Sequence, residues 1–130
     1  MSNKSREVHH EWLYKASEDE LSIRAILKED GAPSTACFLS QQLAEKCLKA
    51  LLIYHKIKFP KVHDLLALET MLIKSESAIN IVHNDLALLN RYYIETRYPG
   101  DYPTFTLEEA KTAFEKALNI KKFVFEKIPF

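Results

Sequence analysis

The chain is poor in glycine and cysteine, with two of each among its 130 residues. Gly31 and Gly100 occur where periodic apolar patterns stop, so they predict helix ends. Cys37 and Cys47 lie within one predicted helix, and their spacing separates them by about 15 Å along its axis. A disulfide between them is therefore excluded. Both are expected to be small buried side chains of a protein in a reducing compartment.

The chain also lacks an excess of charge of either sign. Its 18 Lys and Arg residues balance 18 Asp and Glu residues. No global field therefore attracts nucleic acid or an anionic membrane, and any such contact must be a local patch. No apolar run approaches the roughly 20 residues of a membrane span, and the N-terminal residues lack the apolar core of a signal peptide. We expect a cytoplasmic protein.

Helical periodicity accounts for most of the chain. Apolar residues recur at spacings of three, four and seven in residues 9–29, and a second apolar face ends near Tyr54. A third and a fourth helix follow, and Thr106 is a predicted cap of the last helix, with Glu109 reaching back to it. No segment alternates with the two-residue period of a strand. We predict one all-α domain over residues 1–130, an antiparallel up-down bundle of four long helices plus one short helix.

Polar residues on two helical faces are candidates for a functional site. Asp19 falls on the apolar stripe of the first helix. An acid on such a face must either lie at its solvent-exposed edge or pair with a cation. One face of the second helix carries Gln41, Gln42, Glu45, Lys46 and Lys49. Glu45 and Lys49 are four residues apart, in the order that favours an ion pair. Spacing alone favours a solvated helix surface for this face.

Arg97 extends the apolar series of the predicted fourth helix. That series is Ile79, Val82, Leu86, Leu89 and Tyr93. A guanidinium on a buried face needs an anionic partner or a ligand. For Arg97 the alternatives are an ion pair within the bundle, with Asp101, Asp19 or Glu45, and a contact with a bound anion. Arg91 points elsewhere and is expected to be solvated.

Established motifs for metal, phosphate or nucleophilic chemistry are absent from the sequence. The five histidines form no His-Glu-x-x-His pattern, and neither cysteine belongs to a Cys-x-x-Cys pair. A glycine-rich phosphate loop and a nucleophile elbow are also missing. We therefore predict neither a metal site nor a cofactor.

Three stretches of the sequence resemble motifs of the HEPN family, the higher eukaryotes and prokaryotes nucleotide-binding domain. The first resembles a Gln-x-x-Glu-Lys-x-x-Lys-Ala run followed by His-x-Leu-x-x-Leu, with matches at Gln42, Glu45, Lys46, Lys49, Ala50 and His63. The stretch YYIETRYPGD resembles the family's Tyr-x-x-x-Arg-Tyr-Pro-x-Asp segment. Trp12, Ala16 and Asp19 resemble its first-helix pattern. The likeness extends from about Trp12 to Val124.

The resemblance implies a HEPN-like helical bundle that forms a homodimer and binds nucleotide or RNA. It also implies a minimal nucleotidyltransferase as partner, in a toxin–antitoxin-like pair. The high share of apolar residues, 47%, favours a dimer independently, since five amphipathic helices leave more apolar surface than one small interior needs. The candidate ligand-binding residues are Arg97, Asp101, Tyr98, Glu45, Lys46, Lys49 and Asp19.

An enzymatic alternative follows from the same resemblance. Ribonuclease members of the family carry an Arg followed about four to six residues later by His, and act without metal. His can move a proton at the ribose hydroxyl and the leaving oxygen, while Arg stabilises the charged phosphate. In this sequence no His follows Arg91 or Arg97 within that window. The candidate catalytic residues are therefore Arg97 and His63, and a binding module is preferred to a metal-independent endoribonuclease. A third alternative is that Tyr98 or Tyr102 accepts adenylate from the partner.

Overall fold

The computed structural model describes residues 2–93 and 104–129, with side chains from residue 8 onward. These ranges contain five α-helices and no strand, which confirms the all-α prediction. The helices are α1 (Ser2–Lys28), α2 (Pro33–Tyr54), α3 (Leu65–Leu72), α4 (His83–Asn90) and α5 (Leu107–Lys127), and a 3₁₀ segment, Ser77–Val82, precedes α4. No helix in the described ranges has the length and apolar character needed to cross a membrane.

Helix lengths differ from the expected four long helices and one short helix. The structure has three helices of 21 to 27 residues and two of eight. The predicted fourth helix is replaced at its beginning by the 3₁₀ segment, where β-branched side chains disfavour the α conformation. It ends at Asn90, so Tyr92 rather than Tyr93 enters the core, with 2% exposure. The apolar series therefore does not continue as a helix to Arg97, which lies outside the described residues.

Contacts between helices give their directions. Lys49 Nζ lies 5.4 Å from the centre of the Trp12 ring, and Lys46 Nζ lies 2.7 Å from Asp19 Oδ2. Later residues of α1 thus meet earlier residues of α2, so these two helices are antiparallel. α2 itself is central, with 13 of its 22 residues buried.

Two further pairs of helices are also antiparallel. Glu20 of α1 binds Lys121 of α5. Arg24, about one turn later in α1, stacks over the ring of Phe114, about two turns earlier in α5. α4 and α5 are joined by Asp85, whose carboxylate accepts from Asn119 at 3.1 Å. Their other ends meet at the bond from the Tyr92 hydroxyl to Glu109.

The linker between α2 and α3 breaks the up-down order. Ile57 N bonds to Leu52 O at 2.9 Å, but His63 O accepts from Gln41 Nε2, also at 2.9 Å. Residues 57–63 therefore run back along α2 by about 16 Å, which requires a nearly extended chain. At the far end of α3, Glu76 reaches the imidazole of His55 beside the end of α2. α3 consequently runs parallel to α2, contrary to the antiparallel order expected throughout.

This return brings the start of α3 to the end of α4. Asn90 Oδ1 accepts from Leu65 N at 2.7 Å, and Asn90 Nδ2 donates to Asp64 Oδ1 at 2.9 Å. Asp64 also caps α3 by accepting from the backbone N–H of Leu66 at 2.9 Å. The chain therefore leaves α4 close to His63, and two segments far apart in sequence meet.

Helix ends follow the predicted chemistry with two corrections. Thr106 Oγ1 accepts from Glu109 N at 3.0 Å, which confirms the Thr106 cap, but the Glu109 carboxylate accepts from the Tyr92 hydroxyl at 2.7 Å instead of reaching back to Thr106. Gly31 does follow α1 and donates to Ile26 O at 2.7 Å, but the left-handed residue is Asp30, with φ 52°. A Cβ on Gly31 would lie 3.1 Å from Ile26 Cγ2, so close packing rather than its own φ favours glycine here. Gly100 lies outside the described residues.

Both cysteines are buried and free, as predicted. Burial raises the pKa of the Cys47 thiol to about 12 and that of Cys37 to about 11. Glu109 adds to the effect at Cys37, while Arg91 opposes it. Neither thiol is therefore ionised near neutral pH, so neither is a candidate nucleophile.

Candidate functional site

A cluster of polar side chains lies where the returning linker meets α2. We call it the Glu45 cluster, and its members are Gln41, Gln42, Glu45, Lys49 and His63. The side chains of Glu45 and Lys49 are only 4% and 7% exposed, and Gln41 is fully buried. The solvated-surface interpretation of this helical face is therefore wrong for these three residues, because residues 57–63 cover the face that spacing alone left open.

The Glu45 carboxylate is the common acceptor of the cluster. Oε2 lies 2.8 Å from Lys49 Nζ and 3.1 Å from His63 Nδ1. Oε1 lies 3.2 Å from the same imidazole nitrogen and 3.4 Å from the side-chain amides of Gln41 and Gln42. A buried carboxylate is stable only when its charge and lone pairs are matched in this way.

The Lys49 ammonium is enclosed by aromatic rings as well as by the carboxylate. Its Nζ lies 5.4 Å from the centre of the Trp12 ring and 5.8 Å from that of Phe59. Cation–π attraction from two rings offsets part of the cost of removing the ammonium from water. α1, α2 and the linker thus each contribute to one buried ion pair.

Gln41 fixes the backbone of the linker to α2. Its Nε2 donates to His63 O at 2.9 Å, and its Oε1 accepts from Gln42 Nε2 at 2.7 Å. His63 is therefore held twice, through its carbonyl by Gln41 and through its ring by Glu45. Such double anchoring fixes the position and orientation of the imidazole.

The His63 ring has a defined hydrogen-bonding arrangement. Because the Glu45 carboxylate is an acceptor, Nδ1 must donate the hydrogen bond, and Nε2 is then the basic nitrogen of the neutral ring. The ring stacks on Tyr93, with centroids 4.4 Å apart and planes 11° apart. The His63 side chain remains 43% exposed. An oriented, partly exposed imidazole can either stack on a ligand or accept a proton from it.

A cleft of about 390 Å³ opens beside His63. It is lined by Lys61, Val62, His63, Asp64, Asn90 and Tyr93. The lining therefore comes from the linker and the end of α4, the two segments that the fold brings together. The cleft offers the Lys61 ammonium and the stacked His63 and Tyr93 rings, which suit a phosphate and a planar ligand. It also contains the Asp64 carboxylate, whose Oδ1 already accepts hydrogen bonds from Asn90 and from the first turn of α3.

The other predicted ligand-binding residues are distributed differently. Asp19 and Lys46 pair at 2.7 Å, with side chains 13% and 21% exposed, and they tie α1 to α2 rather than joining the Glu45 cluster. The acid on the α1 stripe thus has the cation that its position required. The positions of Arg97, Tyr98 and Asp101 lie outside the described residues. Arg91 is 65% exposed, as expected, and lies 3.5 Å from Glu109 Oε2.

Of the six residues that line the cleft, sequence reasoning had singled out only His63 as a site residue. Asn90 was not singled out, although an Asn at the end of a helical pattern is a recognised signal of a helix end. Tyr93 was assigned to the apolar series, whereas it follows α4 and stacks on His63. Within the described ranges, no group of three or more His, Cys, Asp and Glu side chains is arranged to hold a metal ion.

Comparisons with known proteins agree with this architecture. A family model, the HEPN domain, matches residues 9–128. The structure is similar to the crystal structure of TT1696 from Thermus thermophilus, with 30% identity, a TM-score of 0.81 and coverage of 92% of this chain and 98% of that one. It is also similar to ST0689, described as an archaeal HEPN homologue, with 25% identity, a TM-score of 0.74 and coverage of 93% and 98%. No curated protein matches the chain.

The buried ion pair makes a prediction about stability. Glu45→Leu should lower the free energy of unfolding by about 3–5 kcal/mol, because it leaves the Lys49 charge buried without its partner. The double variant Glu45→Leu/Lys49→Met should recover part of that loss, since it removes both charges. Guanidinium denaturation followed by circular dichroism measures both effects.

Glu18→Leu provides the control for this series. Glu18 is an acid of α1 with a 51% exposed side chain, so its replacement should change stability by about 0.5 kcal/mol or less. A Glu45→Leu variant as stable as this control would contradict the assignment of Glu45 as a buried partner of Lys49.

Proposed function

The chain belongs to the HEPN domain family, and on that premise we propose that it is a nucleotide- or RNA-binding interaction module. The observation that carries this proposal is the His63 ring, which is fixed by Glu45, backed by Tyr93 and 43% exposed at the cleft. The orientation of this ring is fixed in the free protein, so little conformational entropy of the side chain is lost when a ligand binds.

The chemistry of the cleft suits a nucleotide. The partly exposed His63 ring, which stacks on Tyr93, provides a planar surface on which a base can stack, an interaction that tolerates any base. Lys61, also in the lining, supplies the cation that a phosphate needs. The segment that carries Arg97, Tyr98 and Asp101 continues directly from Tyr93. We propose that those three residues add to the binding surface, with Arg97 as a second phosphate contact.

Replacement of Tyr93 tests the stacking surface. Tyr93→Leu should weaken binding of a labelled RNA trinucleotide about tenfold, because a base stacked on an aromatic pair contributes roughly 1–3 kcal/mol. Fluorescence anisotropy measures the dissociation constants. Tyr54→Leu is the matched control, since Tyr54 is 36% exposed at the end of α2, outside the lining of the cleft. Equal affinity of the Tyr93→Leu variant and the wild-type protein would refute this use of the cleft.

A metal-independent endoribonuclease is the second candidate function. It is favoured by one specific observation, the bond between His63 Nδ1 and Glu45, which makes Nε2 the basic nitrogen of a partly exposed ring. Such a nitrogen can take the proton of a ribose 2′-hydroxyl during attack on the adjacent phosphate. In this alternative Arg97 would stabilise the charge that develops on the phosphate.

Cleavage of a mixed RNA pool in EDTA separates the two functions. If the protein is a nuclease, His63→Gln should reduce the rate at least about 100-fold, the usual contribution of a general base. His83→Gln is the control, because His83 Nδ1 makes a similar 2.8 Å contact with Glu69 away from the cleft. Arg97→Ala should also abolish cleavage. If neither the wild-type protein nor the control cleaves RNA, the nuclease alternative is rejected and the binding module is retained.

We further propose that the module acts as a homodimer with a minimal nucleotidyltransferase in a toxin–antitoxin-like pair. The support is the family membership together with apolar side chains left on the surface of the described chain. Tyr14 and Leu21 are 64% and 68% exposed and lie seven residues apart, on one face of α1. Ile81 is 77% exposed in the 3₁₀ segment. Such residues can join a protein interface.

Light scattering after size-exclusion chromatography tests both the homodimer and its association with a nucleotidyltransferase. The protein alone at micromolar concentration should have twice the 15.1 kDa mass of one chain, and Leu21→Lys should shift it towards the monomer if this face of α1 forms the interface. Addition of the nucleotidyltransferase should produce a heavier species. A monomeric mass for the wild-type protein would contradict the dimer, and an unchanged profile after mixing would contradict the partner.

A further inference from the structure

A neutral chain contains one stretch with cations and no acids. Residues 46–63 include five lysines and two histidines but neither Asp nor Glu. Two of the lysines are neutralised inside the fold, Lys46 by Asp19 and Lys49 by Glu45. The remaining three are Lys56, Lys58 and Lys61, all in the linker, and we call them the lysine strip.

The lysine strip is exposed and carries uncompensated charge. All three side chains are exposed, and no acid of residues 8–93 or 104–129 forms an ion pair with any of them. Glu76 approaches the beginning of the linker, where its Oε1 contacts His55 Nε2 at 2.9 Å. Ammonium groups this close in sequence repel one another. Binding of a polyanion would therefore remove an electrostatic repulsion that is present in the free protein.

The shape of the linker arranges these charges in a row. Exposure alternates along residues 56–60, with Ile57 and Phe59 partly buried between exposed neighbours, as expected for an extended chain. Residues 57–63 run from the end of α2 towards Gln41, so the row leads from Lys56 to the cleft, of which Lys61 is a lining residue. A linear series of cations that ends at stacked rings fits a nucleic acid strand better than a single phosphate.

A second surface depression lies under the beginning of the strip. Ile53, Lys56, Ile57, Lys58 and Phe59 line it, and its volume is about 540 Å³. Lys56 and Lys58 therefore lie at the edge of a depression lined by apolar side chains, one of which is the Phe59 ring. That combination offers contacts to both the phosphates and the bases of an unpaired strand.

We propose that the lysine strip binds the phosphate backbone of single-stranded RNA whose adjoining nucleotides occupy the His63–Tyr93 cleft. The proposal rests on the proposed RNA-binding function and extends it from a nucleotide-sized site to a strand-sized one. Lys56 and Lys58 contact the strand outside the cleft, and Lys61 contacts it at the cleft entrance. Binding to the strip does not depend on the base sequence of the RNA, because ammonium groups recognise phosphate charge.

The test removes charge from the part of the strip outside the cleft. Lys56 has a left-handed φ of 59°, which glycine adopts without steric cost, so Lys56→Gly/Lys58→Ser should fold. Anisotropy titrations use a labelled single-stranded RNA of 12 nucleotides and a trinucleotide, each at 50 and 200 mM salt. The control is Lys74→Ala/Lys122→Ala, which removes the same charge from two exposed positions elsewhere.

The expected result depends on RNA length. The strip variant should bind the longer RNA at least about fivefold more weakly at 50 mM salt, and its logarithmic salt slope should be smaller by about 1.4, for two lost phosphate contacts. Its affinity for the trinucleotide should not change, and the control should match the wild-type protein with both RNAs.

Three outcomes would overturn the proposal. Equal affinity of the strip variant and the wild-type protein for the longer RNA would reject the strip while leaving the cleft intact. Equal weakening by the control pair would show that net charge alone matters. A polyglutamate peptide of equal charge that binds as tightly as the RNA would assign the strip to an acidic protein. By contrast, equal affinity of the wild-type protein and Tyr93→Leu for the trinucleotide would reject the cleft as a binding site. Failure of the cleft is thereby distinguished from failure of the strip.

Discussion

The contact between the buried Glu45 carboxylate and the partly exposed His63 ring is the constraint on which the rest of the site depends. The linker has to return along α2 for His63 Nδ1 to reach the Glu45 carboxylate at 3.1 Å. That return makes α3 parallel to α2 and brings its first residues to the end of α4. The amide of Asn90 then joins the two segments through Asp64 and the Leu65 backbone. The cleft is a consequence of this path rather than a property of any one helix.

The same contact explains why so much polarity is buried in a small helical domain. A carboxylate and an ammonium removed from water generally cost about as much as their attraction returns, so Glu45 and Lys49 are poor candidates for net stabilisation. Their removal from solvent instead accompanies one arrangement of the linker, in which Gln41 binds the His63 carbonyl and Glu45 binds the His63 ring. In this protein we interpret the buried pair as the means by which a partly exposed imidazole acquires a fixed orientation.

Sequence reasoning predicted the parts of the structure that depend on local periodicity. The helical class, the apolar stripes of α1, α2 and α5, and the Thr106 cap follow from spacings and capping chemistry within a few residues.

The direction of the linker could not be predicted in this way, because periodicity in α2 and α3 carries no information about the path between them. Burial of Glu45 and Lys49 was missed for the same reason, since two of the residues that cover them, Phe59 and His63, belong to the linker and lie up to 18 positions away. The end of α4 was misplaced because Tyr93 continued a helical spacing in the sequence while the backbone had already turned at Asn90. Arg97, whose role was inferred from that spacing, therefore retains only its resemblance to the family motif and its short distance in sequence from Tyr93.

The most direct test of this account is the tautomer of His63. Long-range ¹⁵N–¹H correlation NMR of protein with ¹⁵N-labelled histidine, at a pH where the ring is neutral, identifies which nitrogen carries the proton. We predict the proton on Nδ1, because that nitrogen donates to Glu45, and we predict that Glu45→Ala removes this preference. A His63 ring protonated on Nε2 in the wild-type protein, or unchanged by Glu45→Ala, would contradict the contact on which the site is built.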